Sequence, residues 1–181
     1  MLKNSSKGFT LIEVIIVIVI LSIASAITIN FLLNSLKVYT MTVNQKTLLD
    51  EGKLALERMC RDIRDASSIT LPAASGSGNS ITFTRTNATA LDSASENITF
   101  QLAGGNLQKI KTSPSATNYL AGNVSAFTVT RDTGSEIKLR LTLSLGTGEN
   151  VTLQTKVYPK NLPKDSTYKT FFQNWMEVVS T

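Results

Sequence analysis

The sequence predicts an α+β fold, in which one long N-terminal α-helix, membrane-embedded in its first half and amphipathic in its second, packs on a C-terminal antiparallel β-sheet head. Three observations lead there: an uncharged apolar run from Val14 to Leu33, a sparser apolar stripe from Leu36 to Ala66, and a remainder rich in Ser, Thr, Gly and Asn with period-two alternation.

The run from Val14 to Leu33 supplies about 20 residues, which at about 1.5 Å each match the roughly 30 Å hydrocarbon thickness of a bilayer. Lys3 and Lys7 precede it with no acid between them. The positive-inside rule therefore keeps the start cytoplasmic, makes inner-membrane lipid a partner, and exports the chain after Leu33. One acid, Glu13, stands at the head of the run. A carboxylate inside a membrane segment costs about 2.5–3.5 kcal/mol on insertion scales and marks a function.

The short basic leader ending in Gly8, followed by Phe9-Thr10-Leu11-Ile12-Glu13 opening a hydrophobic helix, resembles the class III leader of type IV pilins and pseudopilins. The resemblance implies cleavage after Gly8 by prepilin peptidase, which as N-methyltransferase also methylates the new terminus, Phe9. It assigns Glu13 to assembly with other pilin or pseudopilin subunits, beside Thr10, Leu11, Ile12 and Val14 in the helix interface. A buried carboxylate gains most when a cation shares its low-dielectric site, and the freed ammonium of a neighbouring subunit's Phe9 is such a cation. A glycine before the cut lets a protease approach the backbone closely.

An ordinary secretory signal is the competing reading: Lys3 and Lys7 as n-region, Val14 to Leu21 as h-region, and Ala24-Ser25-Ala26 as cleavage site. Glu13 would sit awkwardly at the head of that h-region, and the cut would discard the hydrophobic segment. An uncut signal anchor is the third reading. On the first, residues 1–8 are the leader, 9–33 the transmembrane and assembly helix, 34–66 the amphipathic helix, and 67–181 the extracytoplasmic head.

The stripe of Leu36, Tyr39, Val43, Leu49, Leu56, Met59, Ile63 and Ala66 falls mostly three, four or seven residues apart and continues the helix. From Phe9 to Ala66 that makes about 58 residues and roughly 87 Å. Gly52 and the polar cluster Thr40 to Gln45 are its softest points, since mid-helix glycine costs about 1 kcal/mol relative to alanine. Glu57 with Arg61, Arg58 with Asp62, and Arg61 with Asp65 stand at i,i+4 spacing and read as a solvated face of ion pairs.

Strands are predicted over Ser80 to Arg85, Asn97 to Ala103, Asn106 to Lys111, Val124 to Arg131, Glu136 to Leu145, and Asn150 to Tyr158, after a break at Pro72 to Asn79. In the fifth, Ile137, Leu139, Leu141, Leu143 and Leu145 alternate with polar residues, as a half-buried strand requires. Gly104-Gly105, Asp132 to Ser135, and Gly146 to Glu149 supply turns, so antiparallel hairpins follow. The apolar sheet face needs a cover, which the stripe on Leu49 to Ala66 provides.

Arg61-Asp62-Ile63-Arg64, the strand phrase Ile98-Thr99-Phe100-Gln101-Leu102 and the closing Val157-Tyr158-Pro159-Lys160-Asn161-Leu162 make the chain similar to W-type minor pilins and J-type minor pseudopilins of type II secretion. Major pilins often carry a proline midway through the membrane helix, and this chain has none there, which implies greater helical continuity. The lack of a cysteine pair also separates the head from pilins that close a C-terminal disulfide loop.

With a net charge of +5, one cysteine and no histidine in 181 residues, an intrachain disulfide and the common Cys/His zinc frameworks are excluded. Asp132-Thr133-Gly134-Ser135-Glu136 offers oxygen ligands for calcium but lacks the EF-hand spacing and reads as hairpin material, so no metal and no cofactor are expected. Gly76-Ser77-Gly78 reads as a connector, and the Asn-x-Ser/Thr sequons at Asn87, Asn97, Asn123 and Asn150 carry no assigned role. Lys109, Lys111, Lys138, Arg140 and Lys156 could form one basic sheet face for DNA phosphates, against which stands an ordinary solvated face; nucleic acid as a partner is left open. Tyr168, Phe171, Phe172 and Trp175 form an aromatic tail that closes the core or anchors a partner.

No nucleophile, base and oxyanion set is assembled, so the chain reads as non-enzymatic. The expected function is a minor pilin or pseudopilin near the tip of a pilus or secretion pseudopilus. The alternatives are a DNA- or surface-binding tip subunit, and a secreted hydrolase behind a conventional signal.

Overall fold

The structure, a computed structural model, describes residues 8–132 and 135–162. The aromatic tail from Tyr168 to Trp175, Lys3 and Lys7 of the leader, and Thr133 and Gly134 of the candidate calcium turn lie outside the described residues. The chain divides into two compact units, Met1–Val43 and Asn44–Thr181. A single helix, α1 (Leu11–Arg64), contributes to both, and antiparallel sheets follow it, giving the α+β, pilin-like architecture.

In the first unit α1 is apolar all round. The most apolar 18-residue window of α1 has a mean hydropathy of 2.8 and no buried residue. Such a helix is long and apolar enough to cross a membrane, which requires its polar groups to be satisfied internally where lipid would surround them. They are: the side chains of Ser22, Ser25, Thr28, Asn30 and Ser35 each donate to a carbonyl one turn back, at 2.7–2.9 Å. Thr40 and Thr42 do the same to Lys37 and Val38. The polar cluster and Gly52, predicted as soft points, thus both remain helical.

Among its described residues the second unit contains the rest of α1 and nine strands. The first sheet has the order β1-β3-β4-β5-β6, with β1 at Ala66–Leu71, β3 at Ser80–Arg85, β4 at Asn97–Ala103, β5 at Asn106–Thr112 and β6 at Ser115–Ala121. The second has the order β2-β7-β8-β9, with β2 at Ser77–Gly78, β7 at Val124–Arg131, β8 at Ile137–Ser144 and β9 at Asn150–Val157. Every pairing is antiparallel. Among the described residues the head therefore holds two sheets rather than one, and β1, β2 and β6 are additions to the six predicted strands. The β4–β5 turn rests on Gly104 and Gly105, whose φ angles of +57° and +74° lie in the left-handed region that favours glycine.

β7 touches β3, β4 and β5, so residues of both sheets meet in one core. From the first sheet come Ile81, Phe83, Ile98, Phe100 and Leu107, and from the second Phe127, Val129 and the predicted row Ile137, Leu139, Leu141 and Leu143. Phe83 and Phe100 stack tilted with ring centroids 5.7 Å apart.

The helix covers this core with Leu48, Gly52, Ala55, Leu56, Met59 and Ile63. This face is rotated from the predicted stripe: Leu49 is exposed, while Leu48, Gly52 and Ala55 point inward. Gly52 makes that face possible. A Cβ there would stand 2.7 Å from Leu153 Cδ1 and 2.8 Å from Leu143 Cδ1, so the absence of a side chain lets the helix approach β8 and β9. Polar ties reinforce the seating, as Glu51 accepts from the Gly122 amide at 2.6 Å and Asn44 donates to Glu149 at 3.1 Å.

Candidate functional site

The first candidate site is the start of α1. Gly8 is exposed, and nothing lies within 4 Å of where its Cβ would be, so the fold places no demand for glycine there. Phe9, Leu11 and Ile12 are exposed at 80%, 81% and 67%, and Val14 is exposed as well. Thr10 caps the helix: its carbonyl accepts from the amides of Glu13 at 3.1 Å and Val14 at 3.3 Å, and its hydroxyl oxygen accepts from the Glu13 amide at 3.4 Å. Thr10-Leu11-Ile12-Glu13 is a Thr-x-x-Glu capping sequence, a signal that the reading of the sequence passed over.

Glu13 thereby occupies the third helical position. Its negative charge is favoured by the unpaired amides and dipole of the helix start, by about 0.3–1 kcal/mol where exposed to water. It is exposed, and among the described residues no cation stands within 4 Å of it. It is also the one ionisable side chain between Lys7 and Lys37. The polar neighbours further along fold back on their own helix, whereas this carboxylate has no cation partner among the described residues.

The second candidate site is an ion cluster in the head that the sequence reading did not find. Alternation carries the inward rows of the first sheet past the apolar core: Ile81 and Phe83 lead to Arg85 on β3, and Leu107 leads to Lys109 and Lys111 on β5. Three acids meet them. Asp92, from the loop between β3 and β4, lies 2.8 Å from Arg85, 2.6 Å from Lys109 and 3.2 Å from Lys111. Asp62 on α1 lies 3.1 Å from Arg85 and 2.8 Å from Lys109, and Asp65 is 3.6 Å from the Arg85 Nε. Lys111 also donates to the Leu91 carbonyl.

The side chains of Asp92, Lys111 and Arg85 are only 3%, 6% and 7% exposed. Three positive and three negative groups thus neutralise one another, as buried charge must be neutralised. Burial pushes the Asp92 carboxyl up, but hydrogen bonds and charge from Lys109 and Lys111 outweigh this and hold it below the ordinary 3.8.

This cluster overturns two expectations. Asp62 and Asp65 turn toward the sheet, so the helical pairs Arg58–Asp62 and Arg61–Asp65 do not form, and Glu57 and Arg61 do not pair either; among the described residues Arg58 and Arg61 have no acid within 4 Å. Nor do the five basic residues share one face. Lys109 and Lys111 are inside the cluster, while Lys138, Arg140 and Lys156 belong to the other sheet, where Lys156 pairs with Glu136 at 2.8 Å. Glu136 also accepts from the Tyr158 hydroxyl, and these bonds hold its carboxyl below the ordinary range. One of the two carboxylates of the candidate calcium turn, Glu136, is therefore engaged by Lys156 and Tyr158. Cys60 is half-buried, with its thiol pushed up by burial.

The model of the prokaryotic N-terminal methylation motif matches residues 3–29. No curated protein and no solved structure matches the chain. The motif supports a type IV pilin or pseudopilin precursor, processed by prepilin peptidase and assembling with other pilins, and with the apolar helix it fits anchoring in the inner membrane.

Proposed function

We propose that the chain is a non-enzymatic minor pilin or pseudopilin, of the W or J type, cut after Gly8, methylated at Phe9 and assembled through its helix near the tip of a pilus or secretion pseudopilus. Residues 9–33 serve as the membrane and assembly helix, 34–66 as the helix that bears the head, and 67–181 as the extracytoplasmic head.

The observation that carries this reading is Glu13, an exposed carboxylate without a cation partner among the described residues, four residues beyond the amine that cleavage at Gly8 would free. In lipid the isolated charge costs about 2.5–3.5 kcal/mol. Seated beside the Phe9 ammonium of another subunit, the same charge gains a partner in a medium where pairing is strong. Assembly then relieves what insertion imposed, with Thr10, Leu11, Ile12 and Val14 supplying the surrounding contacts.

The test is Glu13→Ala, followed by membrane fractionation and by quantifying the chain in sheared fibres. Insertion should persist while incorporation drops sharply. Incorporation at the native level would end the charge-pairing account.

A further inference from the structure

A cavity of about 1060 Å³ opens over the ion cluster, walled by the end of α1, the 88–93 loop, β5 and β6. Its floor is Arg85, Lys109, Lys111, Asp62 and Asp92, whose charges, with Asp65, are already matched. Its rim is different. Arg58 and Arg61 stand one helical turn apart on the same face of α1, both exposed, both lining the cavity, and both without an acid within 4 Å among the described residues. Matching the floor internally leaves the rim with an excess of two positive charges among the described residues.

The rest of the lining says what kind of anion fits. Ala88, Ala90, Pro114, Ala116 and Leu120 give the walls an apolar character. At the edge, Leu91 and Tyr119 are 79% and 68% exposed. A small inorganic anion would leave most of this volume and all of this apolar surface unused. A peptide carrying carboxylates beside apolar side chains uses both, because planar guanidinium groups bind carboxylates through two parallel bonds and exposed tyrosine is a common interface anchor.

We infer that this cavity is a docking site for an acidic, partly apolar segment of a partner protein, gripped at the rim by Arg58 and Arg61. The site is independent of the pairing proposed for Glu13, since it lies wholly in the second unit and can be assayed on the unassembled chain.

The test uses the full chain in non-ionic detergent, with fluorescence anisotropy of a fluorescein-labelled peptide of alternating glutamate and leucine, and empty micelles as blank. The acidic peptide should bind, and more weakly as salt rises. The double variant Arg58→Ala, Arg61→Ala should bind about tenfold more weakly or worse, having lost two charge-assisted contacts, with an unchanged melting midpoint because neither arginine holds an ion pair among the described residues. Equal binding of the corresponding glutamine–leucine peptide, native affinity in the double variant, or full displacement by inorganic phosphate at low millimolar concentration would each overturn the assignment.

Discussion

Replacing Asp92 by asparagine keeps its shape and removes its charge, in a place where three cations converge. Arg85 and Lys109 would still have Asp62, at 3.1 and 2.8 Å. Lys111 would not: its side chain is 6% exposed, Asp92 is its carboxylate partner, and only neutral acceptors, the Leu91 carbonyl and the new amide oxygen, would remain. Removing one partner of a buried ion pair costs about 3–5 kcal/mol, because the other charge stays buried without compensation. For a unit of this size that corresponds to a fall of roughly 10–20 °C in the melting midpoint.

The pH dependence adds a second signature. Asp92 has its folded pKa depressed by Lys109 and Lys111, so its contribution is fully present above the unfolded value and is lost as pH falls through the lowered folded value. The gap between the native chain and Asp92→Asn should be full above about pH 5 and should close in stronger acid. Adding Lys111→Met should recover part of the loss by removing the orphaned ammonium. Thermal melts of the detergent-held chain, followed by circular dichroism from pH 2 to 7, would measure this. An Asp92→Asn chain as stable as the native one at neutral pH would refute the claim that buried Lys111 depends on the Asp92 carboxylate.

Two further outcomes follow from single glycines. Gly52→Ala should lower stability by about 1–3 kcal/mol through overpacking, despite alanine's helix preference of about 1 kcal/mol, because its methyl would press on Leu143 and Leu153; a raised melting midpoint would show that those side chains yield freely. Gly8→Leu should leave the precursor uncut on an immunoblot without disturbing the head, since open space surrounds that position; normal processing would remove the reason offered for glycine there.

The elements most legible in the sequence were those with strong, long patterns. The uncharged run of α1, the alternating row on β8 and the Gly104-Gly105 turn each follow from local chemistry that no tertiary contact reverses. β6 was not legible, because Ser115 to Ala121 has no apolar alternation and pairs along β5 through its backbone. The helix face was misjudged at Leu48, Gly52 and Ala55 because a glycine scores as a weak helix residue, while here it is the point of closest approach.

The ion cluster was half written. Ile81, Phe83 and Arg85, like Leu107, Lys109 and Lys111, keep one parity, so their strands already carried these cations to the inner face. Charge alone suggested solvent. Asp92, in a loop without periodicity, offered no local sign that it would turn inward, and once Asp62 and Asp65 follow it the helical ion pairs expected of them are lost. At the start of α1, by contrast, the residues of interest were read from a local motif, and the prokaryotic N-terminal methylation motif matches the same stretch, residues 3–29.

The most direct measurement is the N-terminal residue and mass of the membrane-extracted mature chain. A polypeptide beginning at Phe9 and heavier by one methyl group is the expected result. One beginning at Ile27, cut after Ala26 as a secretory signal would be, or one retaining Gly8, would contradict the account at its root.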